Sequence, residues 1–285
     1  MRKVVGGIGR ALITTGLLIL GFVAYQLWGT GLYTAREQSS LKADFRAELE
    51  VAATTTTTQG KPPPTPAPPQ GEPLAVIQIP KIGLETVVVE GVTVADLRKG
   101  PGHYPETPLP GQIGNAAIAG HRTTYGAPFN RIDELLIGDT IVVRTIDGNY
   151  TYKVTEQLIV SRRDVHVLVP TTTAELTLTS CHPKYSASQR IIVKAVLQEE
   201  LSAEPTVSTV KNDNKADFES GIAEDKSATG PLFVWLFAAA VVGVLWWLAF
   251  RRWRRWTTWV AGAIPFTIVL CGVYFHIERL LPTSY

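Results

Sequence analysis

Cysteine is nearly missing from this chain, which has two, Cys181 and Cys271, among 285 residues. They supply no disulfide framework, so an exported domain built from this sequence must rely on an ordinary core. Histidine is also sparse: five scattered residues do not make a zinc site of the usual ligand spacing. A formal charge of +2 is too small for a nucleic-acid surface, and the arginines gather beside apolar segments instead. No glycine-rich phosphate loop, paired-carboxylate arrangement or internal repeat is present. Neither metal nor cofactor is expected.

Long apolar runs, by contrast, are plentiful. Residues 11–28 follow Arg2, Lys3 and Arg10 and have a length between a signal-peptide core and a membrane span. No small-x-small cleavage site follows cleanly, so the run reads as an uncleaved signal anchor with residues 1–10 in the cytoplasm. Residues 231–250 and 256–275 read as two further spans. The loop 251–255 between them holds Arg251, Arg252, Arg254 and Arg255, which makes it cytoplasmic by the positive-inside rule. The expected arrangement is multi-pass, in a cell membrane, with residues 29–230 and a tail of 276–285 on the outer face. Trp246, Trp247, Trp253, Trp256 and Trp259 supply the interfacial aromatic belt. On this topology Cys271 lies in the bilayer as a small hydrophobe and cannot pair with Cys181.

Residues 29–72 read as a linker: a mixed, charged stretch suited to a short helix leaving the bilayer, then threonines 54–58 and a proline-rich run. Consecutive prolines favour extended polyproline II, a semi-rigid spacer. A second linker, 202–230, is polar and poor in large apolar residues. Between them, residues 73–201 are enough for one core. Runs rich in Val, Ile and Thr predict strands at 75–79, 85–90, 116–119, 140–146, 150–161, 175–180 and 190–198. Asp147-Gly148 predicts a hairpin, and 94–99 and 128–136 read as short helices. About eight short strands joined by single-turn helices point to a mainly β fold closed into a barrel.

Three residues in this domain make a chemical constellation. Cys181 closes the run Thr177-Leu178-Thr179-Ser180, His121 follows Ala117-Ile118-Ala119-Gly120, and Arg190 opens Ile191-Ile192-Val193. A thiol, an imidazole and a guanidinium at strand ends are the parts needed for acyl transfer through a thioester. Cys181 is the candidate nucleophile, His121 the acid–base group and Arg190 the clamp for an oxyanion or substrate main chain. His182 adjoins Cys181, but neighbours on a strand project to opposite faces, so it should point away. His103 and His166 lie in loop-like contexts without evident partners.

The pattern His121, then Thr177-Leu178-Thr179-Ser180-Cys181, then Arg190 resembles the signature of the sortases, TLxTC followed by arginine, with Ser180 where threonine is usual. Gly102-His103-Tyr104-Pro105 and the stretch from Gly120 to Phe129 are similar to class E members of actinobacteria. The resemblance implies an eight-stranded sortase barrel outside the membrane. It also implies cleavage of an LPxTG- or LAxTG-type sorting signal between Thr and Gly. The acyl group would pass to a peptidoglycan precursor or cross-bridge amine. Cys181, His121 and Arg190 take the catalytic roles, with Tyr104, Thr179 and Ser180 meeting the peptide and the loop 162–174 forming part of its groove. Pilin polymerisation, hydrolytic proteolysis and silent peptide binding are the competing readings. A carboxy-terminal membrane segment is similar to class C enzymes, but their Asp-Pro-aromatic lid tripeptide is not found in the proline-rich linker.

Overall fold

The computed structural model describes residues 2–55, 66–198, 229–252 and 256–280. Eight strands follow in chain order: β1 Pro73–Ile79, β2 Leu84–Glu90, β3 Gly102–His103, β4 Gly114–Ala119, β5 Thr140–Arg144, β6 Asn149–Ser161, β7 Ala174–His182 and β8 Gln189–Leu197. They close into a barrel in the order β1-β2-β3-β4-β7-β8-β6-β5, with β1 and β5 completing the ring. Closure leaves no sheet edge unpaired. β2 runs parallel to β3 and β4 parallel to β7, while the other neighbours are antiparallel.

The interior is filled by inward members of the alternating strands, among them Ile77, Ile79, Ile118, Ile141, Val143, Tyr152, Leu176, Leu178 and Val193. Each large side chain buried this way contributes about 1.5–3 kcal/mol. Tyr152 is fully buried, and its hydroxyl accepts a hydrogen bond from the Gly111 amide at 2.7 Å. The Asp147-Gly148 turn joins β5 to β6, closed by Thr145 N donating to Gly148 O at 2.9 Å. Because the Thr145 hydroxyl also accepts from Asp147 N, β5 ends at Arg144, two residues short of the expected 146.

Helix α1 spans Arg2–Ala24, a π-helical turn spans Tyr25–Gly29, and α2 spans Thr30–Thr55. The segment expected to be a linker from residue 29 therefore begins as a long helix. Its burial explains why: Thr30, Thr34, Leu41 and Phe45 recur along one stripe and are all buried, with Leu41 packed on Val87 and Val89 of β2. Gln38 in the same stripe accepts from Val87 N and donates to Val87 O and Lys99 O. The helix α3, Val94–Lys99, matches its expected bounds and starts with a capping box between Thr93 and Asp96. The expected helix 128–136 is instead a series of turns containing the short 3-10 segment Ile132–Glu134. Phe129 N is drawn to His121 O and the Phe129 ring into the barrel core, which leaves no continuous helical ladder.

Two compact units are distinguished, the barrel with α2 in Leu27–Ile222, and the apolar helices in Met1–Gln26 with Ala223–Thr283. In the second unit α4 spans Thr229–Arg252 and α5 spans Trp256–Leu280, each longer than the expected spans. Trp235 packs on Gly272 and Trp246 on Gly262, where a Cβ would collide with the indole. The Tyr274 hydroxyl donates to Leu18 O at 2.7 Å. Among the described residues, three helical segments are long and apolar enough to cross a membrane: Val5–Ala52, Thr229–Arg252 and Val260–Glu278. Arg254 and Arg255, residues 202–228 of the second linker and the last five residues of the expected tail lie outside the described residues, while 229–230 already belong to α4.

Candidate active site

Side chains alternate across each strand, and the packing fixes which face is which. On β4, Ala116 and Ile118 enter the barrel core, while Ala117 and Ala119 join an outer cluster with Val92, Leu97, Tyr104, Val167, Leu168 and Ile192. On β7, Leu176 and Leu178 point inward, so Thr177, Thr179 and Cys181 belong to the outer face. On β8, Ile191 and Val193 point inward, so Arg190 and Ile192 face out. Cys181 and Arg190 are direct partners in the β7–β8 ladder. Arg190 Nη1 donates to Cys181 Sγ at 3.6 Å and also to the carbonyls of Ala187 and Gln189 at 3.3 and 3.1 Å. Both residues are buried.

His121 arrives on the same face from β4. The parallel ladder pairs Ala119 with Thr179, and Gly120 N extends it by donating to Thr179 O at 3.1 Å. Ser180 Oγ then donates to Gly120 O at 2.7 Å. Only glycine fits there, because a Cβ at Gly120 would lie 2.6 Å from the Phe129 ring. With position 120 facing the core, His121 turns outward like Cys181 and is buried. Its Nδ1 lies 3.4 Å from Thr124 Oγ1, and the Tyr125 ring tilts over the imidazole at 5.1 Å between centroids.

Burial pushes the Cys181 thiol up to about 11, while Arg190 and then Arg122 pull the other way by favouring the thiolate. The resting sulfur is therefore a neutral thiol near neutral pH, already beside the charges that stabilise its anion. Arg122 is 2% exposed, with Nη2 2.9 Å from Asp133 Oδ1. Burial pulls its guanidinium below the usual range, opposed by Asp133 and by the Cys181 sulfur.

The remaining expected site residues are more deeply engaged in the fold. Tyr104 is buried in the outer cluster. Thr179 is buried and holds Gly120 through its carbonyl, and the Ser180 hydroxyl is occupied by Gly120 O. Strand β7 continues through His182, so alternation sets it on the opposite face from Cys181. The loop 162–173 contains the 3-10 segment Val165–Leu168, whose Val167 and Leu168 cover the outer cluster. Asn115 anchors that loop by donating to Val167 O at 2.9 Å, and Thr177 Oγ1 donates to Asn115 Oδ1 at 2.6 Å. That loop is thus fixed to β4 and β7.

Two features escaped the sequence reading. His103 has partners after all: Nδ1 is 2.8 Å from Glu90 Oε2, and Nε2 is 3.0 Å from Pro108 O and 3.1 Å from Thr107 Oγ1. The pairing depends on the parallel register of β2 and β3, which joins residues distant from any local pattern. Arg122 and Tyr125 were not singled out, although Arg122 directly follows His121 and Tyr125 lies four residues after it. Among the described residues, no group of three or more His, Cys, Asp or Glu side chains is gathered as metal ligands would be.

Comparison with known proteins identifies the family. The family model Sortase domain matches residues 77–198. The chain is 34% identical over 210 residues to sortase SrtE1 of Streptomyces coelicolor, across 68% of this chain and 57% of that protein. It is 32% identical over 174 residues to sortase D of Bacillus subtilis, across 60% of this chain and 86% of that protein. A solved structure of sortase E1 from Streptomyces coelicolor with a tripeptide in the active site is 34% identical, covering 48% of this chain and 94% of that chain, with a TM-score of 0.44. Class E members are thus among the relatives this sequence resembles, and the chain belongs to the sortase family.

Proposed function

We propose that this protein is a membrane-anchored cysteine transpeptidase that cleaves an LPxTG- or LAxTG-type sorting signal and transfers the acyl group to a peptidoglycan amine. The observation that supports it most is the Cys181–Arg190 pair, with Nη1 3.6 Å from Sγ, flanked by the strand that delivers His121. The Cys181 sulfur attacks the Thr carbonyl carbon while its proton passes to His121. Arg190 holds the oxyanion as charge develops, a task suited to a permanently charged fork. The C–N bond to Gly breaks, His121 returns the proton to the leaving amine, and a thioester remains on Cys181. The incoming amine then attacks that carbonyl and gives a proton to His121, the C–S bond breaks, and His121 returns that proton to the Cys181 sulfur.

Burial of the thiol fits this order, because a neutral Cys181 keeps its proton until a substrate carbonyl is present to receive the sulfur. Tyr104 and Thr179, on the outer face with Cys181, form the wall against which the peptide lies together with the loop 162–174, while Ser180 supports it from the opposite face by holding Gly120 O. The domain 73–201 faces outward, joined to the bilayer through 29–72 and 202–230, and Arg251, Arg252, Arg254 and Arg255 hold the segment 251–255 in the cytoplasm.

The test uses the full chain in detergent with LAxTG and LPxTG peptides, with and without a peptidoglycan-like amine, and mass analysis of products. A Thr–amine ligation product that Cys181→Ala loses is the expected result. Water as acceptor at every amine concentration would replace this reading with proteolysis, and joining of pilin lysines with no use of the peptidoglycan amine would replace it with pilin assembly.

A further inference from the structure

The loop after His121 has an unusual backbone. Tyr125, Gly126 and Ala127 all have positive φ, at 52°, 73° and 44°. Two of the three are not glycine, and such conformations persist where the surroundings over-determine them. Part of that surrounding structure is the first turns of α2. Tyr125 N donates to Thr30 Oγ1 at 3.1 Å, a bond between residues 95 apart in sequence. The Tyr33 ring meets the Tyr125 ring edge-on at 6.3 Å and 84°. Thr34 Oγ1 donates to Arg98 O at 2.8 Å, and the Arg98 guanidinium lies 5.6 Å from the Tyr125 ring centroid. A Cβ built on Gly126 would sit 3.4 Å from Thr34 Cγ2, so loop and helix are in close contact. Thr30, Thr34 and Tyr125 are all buried. The same Tyr125 ring tilts at 33° over the His121 imidazole.

We propose that the first turns of α2, immediately after the amino-terminal apolar run, position His121 by fixing Tyr125 against its ring. Tyr125 is a positioning residue, and Thr30 and Tyr33 act through it. The membrane-proximal helix is then part of the catalytic apparatus as well as a tether. The kinetic part of this inference rests on the proposed transpeptidase reading; the placement of the ring does not.

The experiment uses the full chain in detergent, labelled with carbon-13 at histidine Cε1, with the His121 signal identified by its loss in His121→Gln. An aromatic ring tilted over the imidazole displaces that signal by its ring current, and Tyr125→Leu defines the undisplaced position. Thr30→Val combined with Tyr33→Leu, which leaves the Tyr125 side chain itself unchanged, should move the signal toward that position. In the ligation assay the same double variant should lower kcat about fivefold with KM within about twofold, because the peptide site is untouched. Tyr125→Phe, which keeps the ring, should retain both the displaced signal and the wild-type kcat. A His121 signal and kcat unchanged in the Thr30→Val, Tyr33→Leu variant would overturn the proposal. A wild-type protein that does not ligate at all would count against the transpeptidase reading alone, while the resonance still decides the role of α2.

Discussion

Cys181 and Arg190 sit directly opposite each other on β7 and β8, with the guanidinium Nη1 3.6 Å from the sulfur. The ladder register holds this pair more firmly than loop packing could, since a one-residue slip would turn either side chain into the barrel. The charge therefore stands beside the sulfur, where a thiolate would form.

Arg190→Lys should not be conservative. A single ammonium cannot keep the sulfur contact and the bonds to Ala187 O and Gln189 O together. A fall in kcat/KM of about 100-fold is expected, with the fold intact by circular dichroism. Wild-type kinetics in that variant would remove Arg190 from the mechanism.

The Cys181 thiol should react with iodoacetamide at a rate that climbs with pH toward about 11, where the thiolate forms, beyond the ordinary 9.0. The sign for stability follows. The folded chain keeps this proton longer than the unfolded chain, so the contribution is complete below pH 9.0 and lost as pH rises through 11. Thermal unfolding at stepped pH should show wild type losing stability relative to Cys181→Ala across that window.

Gly120→Ala places a methyl 2.6 Å from the Phe129 ring, in the strand that delivers His121. Overpacking of this kind costs about 1–3 kcal/mol, so the barrel should melt several degrees lower and activity should fall with it. Differential scanning fluorimetry and the ligation assay check the two parts.

His103→Ala should destabilise the barrel by about 1–3 kcal/mol, because it leaves the buried Glu90 carboxylate without its 2.8 Å partner. Urea midpoints of wild type and variant measure this. An unchanged midpoint would show that the pair contributes nothing.

Much of the barrel was legible because its strands are short β-branched runs bounded by glycine and proline, and α3 was expected over the same residues, 94–99. The two-residue β3 was missed, since its pairing with β2 and β4 comes from register and leaves no local pattern. Helix α2 was only partly foreseen: its inward stripe includes the buried Thr30 and Thr34 and the half-buried Gln38, polar residues within a stretch expected only as a short helix. The same limit hid the surroundings of the site. Cys181, His121 and Arg190 stood at strand ends and announced themselves, whereas Tyr125, Arg122 and the His103–Glu90 pair acquire meaning only through partners far along the chain.

The most direct test of the account is intact-mass analysis of the full chain, quenched in acid seconds after mixing with an LAxTG or LPxTG peptide and no amine. The account predicts a mass increase equal to the acyl fragment ending in Thr, localised to Cys181, released by hydroxylamine and lost in Cys181→Ala. Peptide cleavage that persists in Cys181→Ala, with no adduct on the wild-type chain, would contradict it.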